Sequence, residues 1–185
     1  LSCMAGECYD EALSDLEIAL DQNFNDERMA RTYGMHLMDY FPHRERGLIH
    51  YLTGEDEEAE RELEISMAQY PSDKAAFYLN RVRTRQMRQG HVAPSIPRIV
   101  IRRPSDEDEI WTADAPLIIS GVATDEQYVS EVLIGNASVF SHTSAQELTF
   151  EKALDLPQGD HKIRITARSL AGGVATRELL IHADR

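Results

Sequence analysis

Apolar positions recur every three or four residues along the first half of the chain and alternate one by one along the second, with glycine and proline marking the change. Residues 9–22, YDEALSDLEIALDQ, put Ala12, Leu16, Ala19 and Leu20 on one face and acids on the other, which predicts an amphipathic helix. The stretch His43 to Pro71, HRERGLIHYLTGEDEEAERELEISMAQYP, reads as two helices around a tight turn at Gly54. Gly47 stands where the first needs a small residue against its neighbour, Ala59, Leu63 and Ser66 make the stripe of the second, and Pro71 closes the unit. Ser72 or Asp73 then caps a further helix, KAAFYLNRVRTRQMRQ. Between the first helix and His43 lies ERMARTYGMHLMD, Glu27 to Asp39. Here Met29, Tyr33, Leu37 and Phe41 repeat every four residues, Asn25 or Asp26 offers a cap and Pro42 an end, so a helix is expected, with Gly34 at a close crossing.

From residue 99 the period becomes two. Ile99 and Ile101, Leu117 and Ile119, Val132 and Ile134, Leu148 and Phe150, Ile163 and Ile165, and Leu179 and Ile181 each flank a residue of the opposite face. Turn-forming clusters separate the runs at Pro104 to Asp108, Thr124 to Gln127, Gly135-Asn136, Pro157 to Asp160 and Ala171 to Gly173. Short strands so spaced predict an antiparallel sandwich. The fold class is therefore α+β in two domains: helices over 1–89, a Pro/Gly linker over 90–97 and an all-β sandwich over 98–185.

The helical half repeats itself. DLEIAL at 15–20 superposes on ELEISM at 62–67, so Ala12 matches Ala59 and Leu16 matches Leu63. The order Gly47, Gly54, Ala59, Leu63, Pro71 resembles the tetratricopeptide (TPR) family. That family's period is about 34 residues, and the separation here exceeds it by roughly thirteen, which fall on Glu27 to Asp39. Arg46 and His50 depart from the pattern, standing where leucine and an aromatic residue are usual, and this implies a less buried helix than in an interior repeat. The third helix, with Asn80 and Arg83 at positions where the pattern has glycine and an aromatic, reads as the cap of a short solenoid.

The second half carries PRIVIRRPSD, IISGVATD with Gly121 and Asp125, VSEVLIGN, and LPQGDHKIRITARSLAGG. These segments resemble the bacterial immunoglobulin-like modules similar to the second domain of glucodextranase. The resemblance implies a spacer, adhesive or sugar-binding accessory domain in a bacterial cell envelope or periplasm. Cysteine and tryptophan at antibody spacing are absent.

A net charge of −13 argues against nucleic acid, whose phosphates demand a basic face. No apolar run is long enough to cross a membrane as a helix. The charge is uneven: Lys74, Arg81, Arg83, Arg85, Arg88, Arg98, Arg102 and Arg103 lie between Ser72 and Arg103 against Asp73 alone. A basic nucleic-acid patch is one reading, against which stands the shortage of aromatics for stacking, and a solvated Arg-rich helix end beside the acidic helix Glu55 to Glu64 is the other. Cys3 and Cys8 are too few for a disulfide framework, and LSC admits a lipid-anchored Cys3 as well as a buried helix residue. The chain opens in helical pattern, so any targeting signal is expected to lie outside it.

Candidate chemistry is sparse. His36, His43 and His50 recur every seven residues, a metal-like spacing that Pro42 interrupts. Asp106 to Glu109 with Asp114, or Asp125-Glu126 with Asp155, gathers carboxylates without the glycine and spacing of a calcium loop. Asn136-Ala137-Ser138 fits a glycosylation sequon, a match common by chance. Nucleophile-elbow, zinc-helix and phosphate-loop motifs are absent, so no enzyme, cofactor or metal is expected. The expectation is a protein-interaction scaffold in which Tyr40, Arg44, Leu48 and Tyr51 line a solenoid groove for a protein or peptide with an acidic end and an apolar anchor. A second expectation is a carbohydrate-binding component using Trp111, Tyr128, Phe140 and Phe150, and a third is a spacer of a larger protein.

Overall fold

The structure, a computed structural model, describes residues 8–31, 37–139 and 143–184. Two compact units divide between Gly90 and His91. The first holds helices α1 (Tyr9–Gln22), α2 (Pro42–Thr53), α3 (Asp56–Gln69) and α4 (Asp73–Gln89), and strands β1 (Glu27–Arg31) and β2 (Leu37–Tyr40). The second holds β3 (Arg98–Arg103), β4 (Glu109–Thr112), β5 (Leu117–Ile134), β6 (Ala137–Val139), β7 (Ala145–Leu154), β8 (Gly159–Ser169) and β9 (Val174–Ala183).

Helices α2 and α3 form a hairpin because the chain supplies both the turn and the contact. Gly54 ends α2 in the left-handed region, at φ 87°, where a side chain would be strained. Gly47 faces α3 so closely that a methyl group there would sit 2.7 Å from Leu63 Cγ and 3.2 Å from the Ala59 carbonyl oxygen. Ala59 and Leu63 are fully buried, and α4 continues the packing through Ala75, Leu79 and Val82. Each such Leu or Val contributes about 1.5–3 kcal/mol of burial. Ser72 caps α4 by accepting a hydrogen bond from Ala75 N at 3.3 Å. Arg83, itself buried, ties α4 to α3 through Glu60 and Glu64 at 2.9 and 2.6 Å. The burial expected of α2 was too low: His43, Leu48, Ile49 and His50 are all buried in it.

The helix expected over Glu27 to Asp39 is not formed. Its described residues make two antiparallel strands, with Glu27 opposite Tyr40 and Ala30 opposite Met38. Met29, at φ 58° and more than half exposed, and Leu37, also more than half exposed, face no core. Of the described members of that fourfold stripe only Phe41 is buried, so the spacing makes no continuous buried face, which removes the force that makes such a stripe helical. Gly34 and His36 lie outside the described residues.

In the second unit β5 runs for 18 residues and serves two layers. Its first part, from Leu117 to Thr124, pairs with β3 on one side and β7 on the other. Its second part, from Val129 to Ile134, pairs with β6 and β8, and β8 continues to β9 and β4. Inward residues of both parts, Ile119 and Ala123 with Val132 and Ile134, join Ile101, Phe150, Ile165, Leu179 and Ile181 in one core. The unit is thus a β-sandwich-like domain whose central strand crosses between layers. Two expectations need correction here. The cluster Thr124 to Gln127 is no turn but the bend inside β5, where Tyr128 takes φ 66° and the pairing register shifts. The sheet is not wholly antiparallel either, because the edge strand β4 runs parallel to β9.

Part of the segment 90–97 is held by the second unit. Gln127 donates from Nε2 to the Ala93 carbonyl at 2.6 Å and accepts from Ser95 N at 3.1 Å. Ser95 also hydrogen-bonds to Asp125 through its hydroxyl.

Candidate functional site

The four groove residues expected from sequence do not share a surface. Tyr40 and Arg44 line a groove of about 530 Å³ between α1 and the start of α2, with Leu16, Ala19, Phe41 and Ile49. Tyr40 donates its hydroxyl to the Ala19 carbonyl at 2.6 Å, and burial, followed by the Asp26 charge, pushes its phenol above the ordinary value. Arg44 lies 4.0 Å over the Phe41 ring and pairs with Glu45 at 2.9 Å, a carboxylate that Lys74 also holds at 2.9 Å. Leu48 is buried at 7% exposure and lines neither surface. It is a packing residue, one of the buried run Gly47, Leu48, Ile49 and His50 on the covered side of α2.

Tyr51 lies on a different surface, shared by α2 and α4. On α4, Phe77, Arg81, Arg85 and Arg88 follow at spacings of four, four and three, which places them on one face of the helix. They enclose with Tyr51 a cavity of about 520 Å³. Arg85 stacks 4.3 Å from the Tyr51 ring centre, donates to the Tyr51 carbonyl at 2.9 Å, and forms a two-pronged pair with Asp56. Arg81 donates to the Tyr51 hydroxyl at 3.0 Å and lies 5.3 Å from the Phe77 ring. Neither Arg81 nor Arg88 has a carboxylate in ion-pair range among the described residues. Phe77 is 53% exposed. The reading of the Arg-rich segment as partners for the acidic helix therefore fits Arg83 and Arg85 and leaves out Arg81 and Arg88. The signal in the sequence was the spacing of Phe77, Arg81, Arg85 and Arg88, which charge counting alone passes over.

The other candidates resolve into structural roles. His43 is buried with Nδ1 2.6 Å from Glu62 and Nε2 2.8 Å from the Phe24 carbonyl, whereas His50 meets Glu55 at 2.6 Å. The two imidazoles thus have separate partners. Asp106 and Asp108 both pair with Arg177, whose hydrogen bond is the main reason the Asp106 carboxyl lies below its usual range. Asp125 is buried and bound to Ser95 and to Gln127 N. No group of three His, Cys, Asp or Glu side chains converges as a metal site among the described residues. Of the aromatics named for sugar, Phe150 is in the core, Tyr128 is half-buried at the bend of β5, Phe140 lies outside the described residues, and Trp111 is 73% exposed.

No family profile matches the chain, and no curated protein does. Among solved structures it is similar to the fibronectin(III)-like modules of CbhA from Clostridium thermocellum, with a TM-score of 0.36 and 17% identity over 50% of this chain and 48% of that one. It is also similar to SGBP-B of the mixed-linkage glucan utilization locus of Bacteroides ovatus, solved with a mixed-linkage heptasaccharide, with a TM-score of 0.33 and 22% identity over 49% of this chain and 24% of that one. The chain spans less than half the length of either.

Proposed function

We propose that this chain is a non-catalytic binding module whose helical unit holds an acidic protein segment on the face shared by α2 and α4. The observation that carries the reading is a pair of arginines, Arg81 and Arg88, with no carboxylate partner among the described residues, beside Tyr51 and Phe77 in a chain of net charge −13. Cations left unanswered in so acidic a molecule attract a partner of opposite sign. The exposed phenyl ring offers that partner an apolar anchor, and aromatic and arginine side chains dominate such contacts. Arg85, fixed by Asp56 and Tyr51, serves as the rigid floor.

In the finer form of the proposal, α2 to α4 act as a tetratricopeptide-like stack and the sandwich-like unit as a spacer or second docking surface. The close contact of Gly47 with Ala59 and Leu63 supports the first part. A bacterial envelope setting follows only from the immunoglobulin-like resemblance and belongs to the same proposal.

The test is fluorescence anisotropy of a labelled Glu-rich peptide carrying one Leu, titrated with the full chain. The double variant Arg81→Glu, Arg88→Glu should weaken capture more than tenfold, about 1.4 kcal/mol or more. Wild-type affinity should also fall with added salt. Unchanged capture by the double variant, or equal capture of a Lys-rich peptide, would overturn the assignment.

A further inference from the structure

Trp111 is the single tryptophan of the chain and the second most exposed large hydrophobic residue described in it. It is not loose. The parallel pairing of β4 with β9 sets it beside His182, and the two rings stack at 4.0 Å with an interplanar angle of 18°. His182 is pinned in turn: Nδ1 is 2.7 Å from Asp160 on β8 and Nε2 is 3.1 Å from Glu109 on β4. Both ring nitrogens face carboxylates, an arrangement that favours the protonated imidazole. The Asp160 hydrogen bond is the main cause of its raised pKa; burial opposes it, and the Glu109 hydrogen bond adds to it. One face of the indole is thus covered by a fixed ring, and the other is open to solvent.

The surroundings select the ligand class. Cross-strand register places Glu109 and Trp111 on β4, Leu180 and His182 on β9, and Asp160 and Lys162 on β8 over the same outward face. The two carboxylates stand beside the lysine and the imidazole that both of them hold, so charges of both signs share the face and it offers neither a purely basic nor a purely acidic surface. What it presents is one flat apolar disc in a rim of hydrogen-bonding groups. A pyranose ring has the complementary form, an apolar C–H face bordered by hydroxyls. An apolar peptide anchor needs a contiguous apolar surround instead, and of the residues that the strand pairing places beside Trp111 among the described residues only Leu180 is aliphatic.

We propose that the β4–β9–β8 face is a saccharide-binding platform, on which a neutral pyranose stacks against the free face of Trp111 with its hydroxyls on Glu109, Asp160 and Lys162. A preformed, rigid aromatic loses little conformational freedom on binding. The site is independent of the helical one, and each stands or falls alone.

Because Trp111 is the only indole, its emission reports the site directly. The full chain is titrated with cellohexaose, laminarihexaose, maltohexaose and chitohexaose in parallel, following emission and, for variants that lack the indole, calorimetric heat. A saturable emission change with one or more of these is expected. Trp111→Ala should reduce the affinity at least tenfold and Trp111→Phe should restore part of it, since an exposed position tolerates both without unfolding. Saturation of the indole signal by oligolysine with no response to any hexasaccharide would assign the platform to cations and overturn the proposal. So would binding of a hexasaccharide with the same affinity in Trp111→Ala, or no emission change with any of the four up to about 10 mM, a range that covers a Kd near 1 mM.

Discussion

Alanine at Gly47 tests the packing on which the helical unit depends, because two effects of opposite sign meet there. As an interior helical position, Gly47 gains about 1 kcal/mol when alanine replaces it. Against that, the new methyl carbon would lie 2.7 Å from Leu63 Cγ, where ordinary carbon contacts are about 3.5–4.0 Å. Close to 1 Å must be opened. Leu63 has no room to give, being fully buried with Ala59, Leu79 and Val82 around it, and the Ala59 carbonyl blocks the other direction at 3.2 Å. Overpacking of this kind costs about 1–3 kcal/mol. The net expectation for Gly47→Ala is a loss of up to about 2 kcal/mol, and Gly47→Val, with two further carbons and a β-branch, should lose more. Chemical denaturation of the full chain can assign the loss to its unit: far-ultraviolet circular dichroism at the helical band follows the first unit, and Trp111 emission follows the second. Only the helical transition should move. A Gly47→Ala protein more stable than the wild type by the helix-propensity gain would show that α2 and α3 are not in contact at this point.

Two further outcomes follow from the ion pairs. The folded-state pKa of His182 is raised above the unfolded value near 6.5, so its contribution to stability is complete below that value and is lost as pH rises through the folded pKa. The Trp111 denaturation midpoint should therefore fall between pH 6.5 and the alkaline side in the wild type, and stay flatter in His182→Gln. Arg44, stacked on Phe41 and shared with Lys74 around Glu45, should act on stability and not on capture: Arg44→Glu should lower the helical transition while leaving acidic-peptide anisotropy unchanged, and a loss of capture with full stability would return the binding surface to the α1–α2 groove.

The legible parts of this chain are those where a repeat of apolar residues ends in a filled core. Gly47, Ala59 and Leu63 read correctly because each is covered from both sides, and Ile163, Ile165 and Leu179 because a strand with one buried face must alternate. Glu27 to Asp39 misleads for the opposite reason: Met29 and Leu37 of its fourfold stripe are exposed, and a spacing without a continuous buried face does not specify a helix. The bend of β5 was hidden by composition. Thr124, Asp125, Glu126 and Gln127 look like a turn, yet Asp125 turns inward to Ser95 and Gln127 N and lets the strand continue. Strand β4 escaped because only Ile110 of its four residues is buried, too short a pattern to show alternation. The α2–α4 site was legible in its residue types and not in its place. Tyr51 was expected on a groove with Tyr40, Arg44 and Leu48, but the cations beside it, Arg81 and Arg85, are thirty and more residues further on, and only the packing of α4 brings them together.

The histidines spaced seven apart raise a last question, whether they are a site or two separate pins, and a thermodynamic cycle answers it. His43 and Glu62 are 2% and 4% exposed in their side chains, and the carboxylate's other cations, Arg61 and Arg46, stand off at 3.5 and 3.8 Å. Removing the imidazole leaves Glu62 buried without its close partner, so His43→Ala should cost about 3–5 kcal/mol. Glu62→Gln keeps a neutral acceptor in place and should cost about 1–2 kcal/mol. Because the two substitutions break one contact, the double variant should be more stable than the sum of the singles predicts, by a coupling of about 0.5–3 kcal/mol. At His50 the same 2.6 Å contact reaches Glu55, whose side chain is 52% exposed, and there Glu55→Ala should cost no more than about 1 kcal/mol. Added Zn²⁺ should leave all of these values in place, since each imidazole answers to its own carboxylate. Additive losses would show that His43 and Glu62 are not coupled and refute the pin, whereas a wild-type midpoint that climbs with Zn²⁺, and does so less in His43→Ala, would mean that the spacing marks a metal site after all.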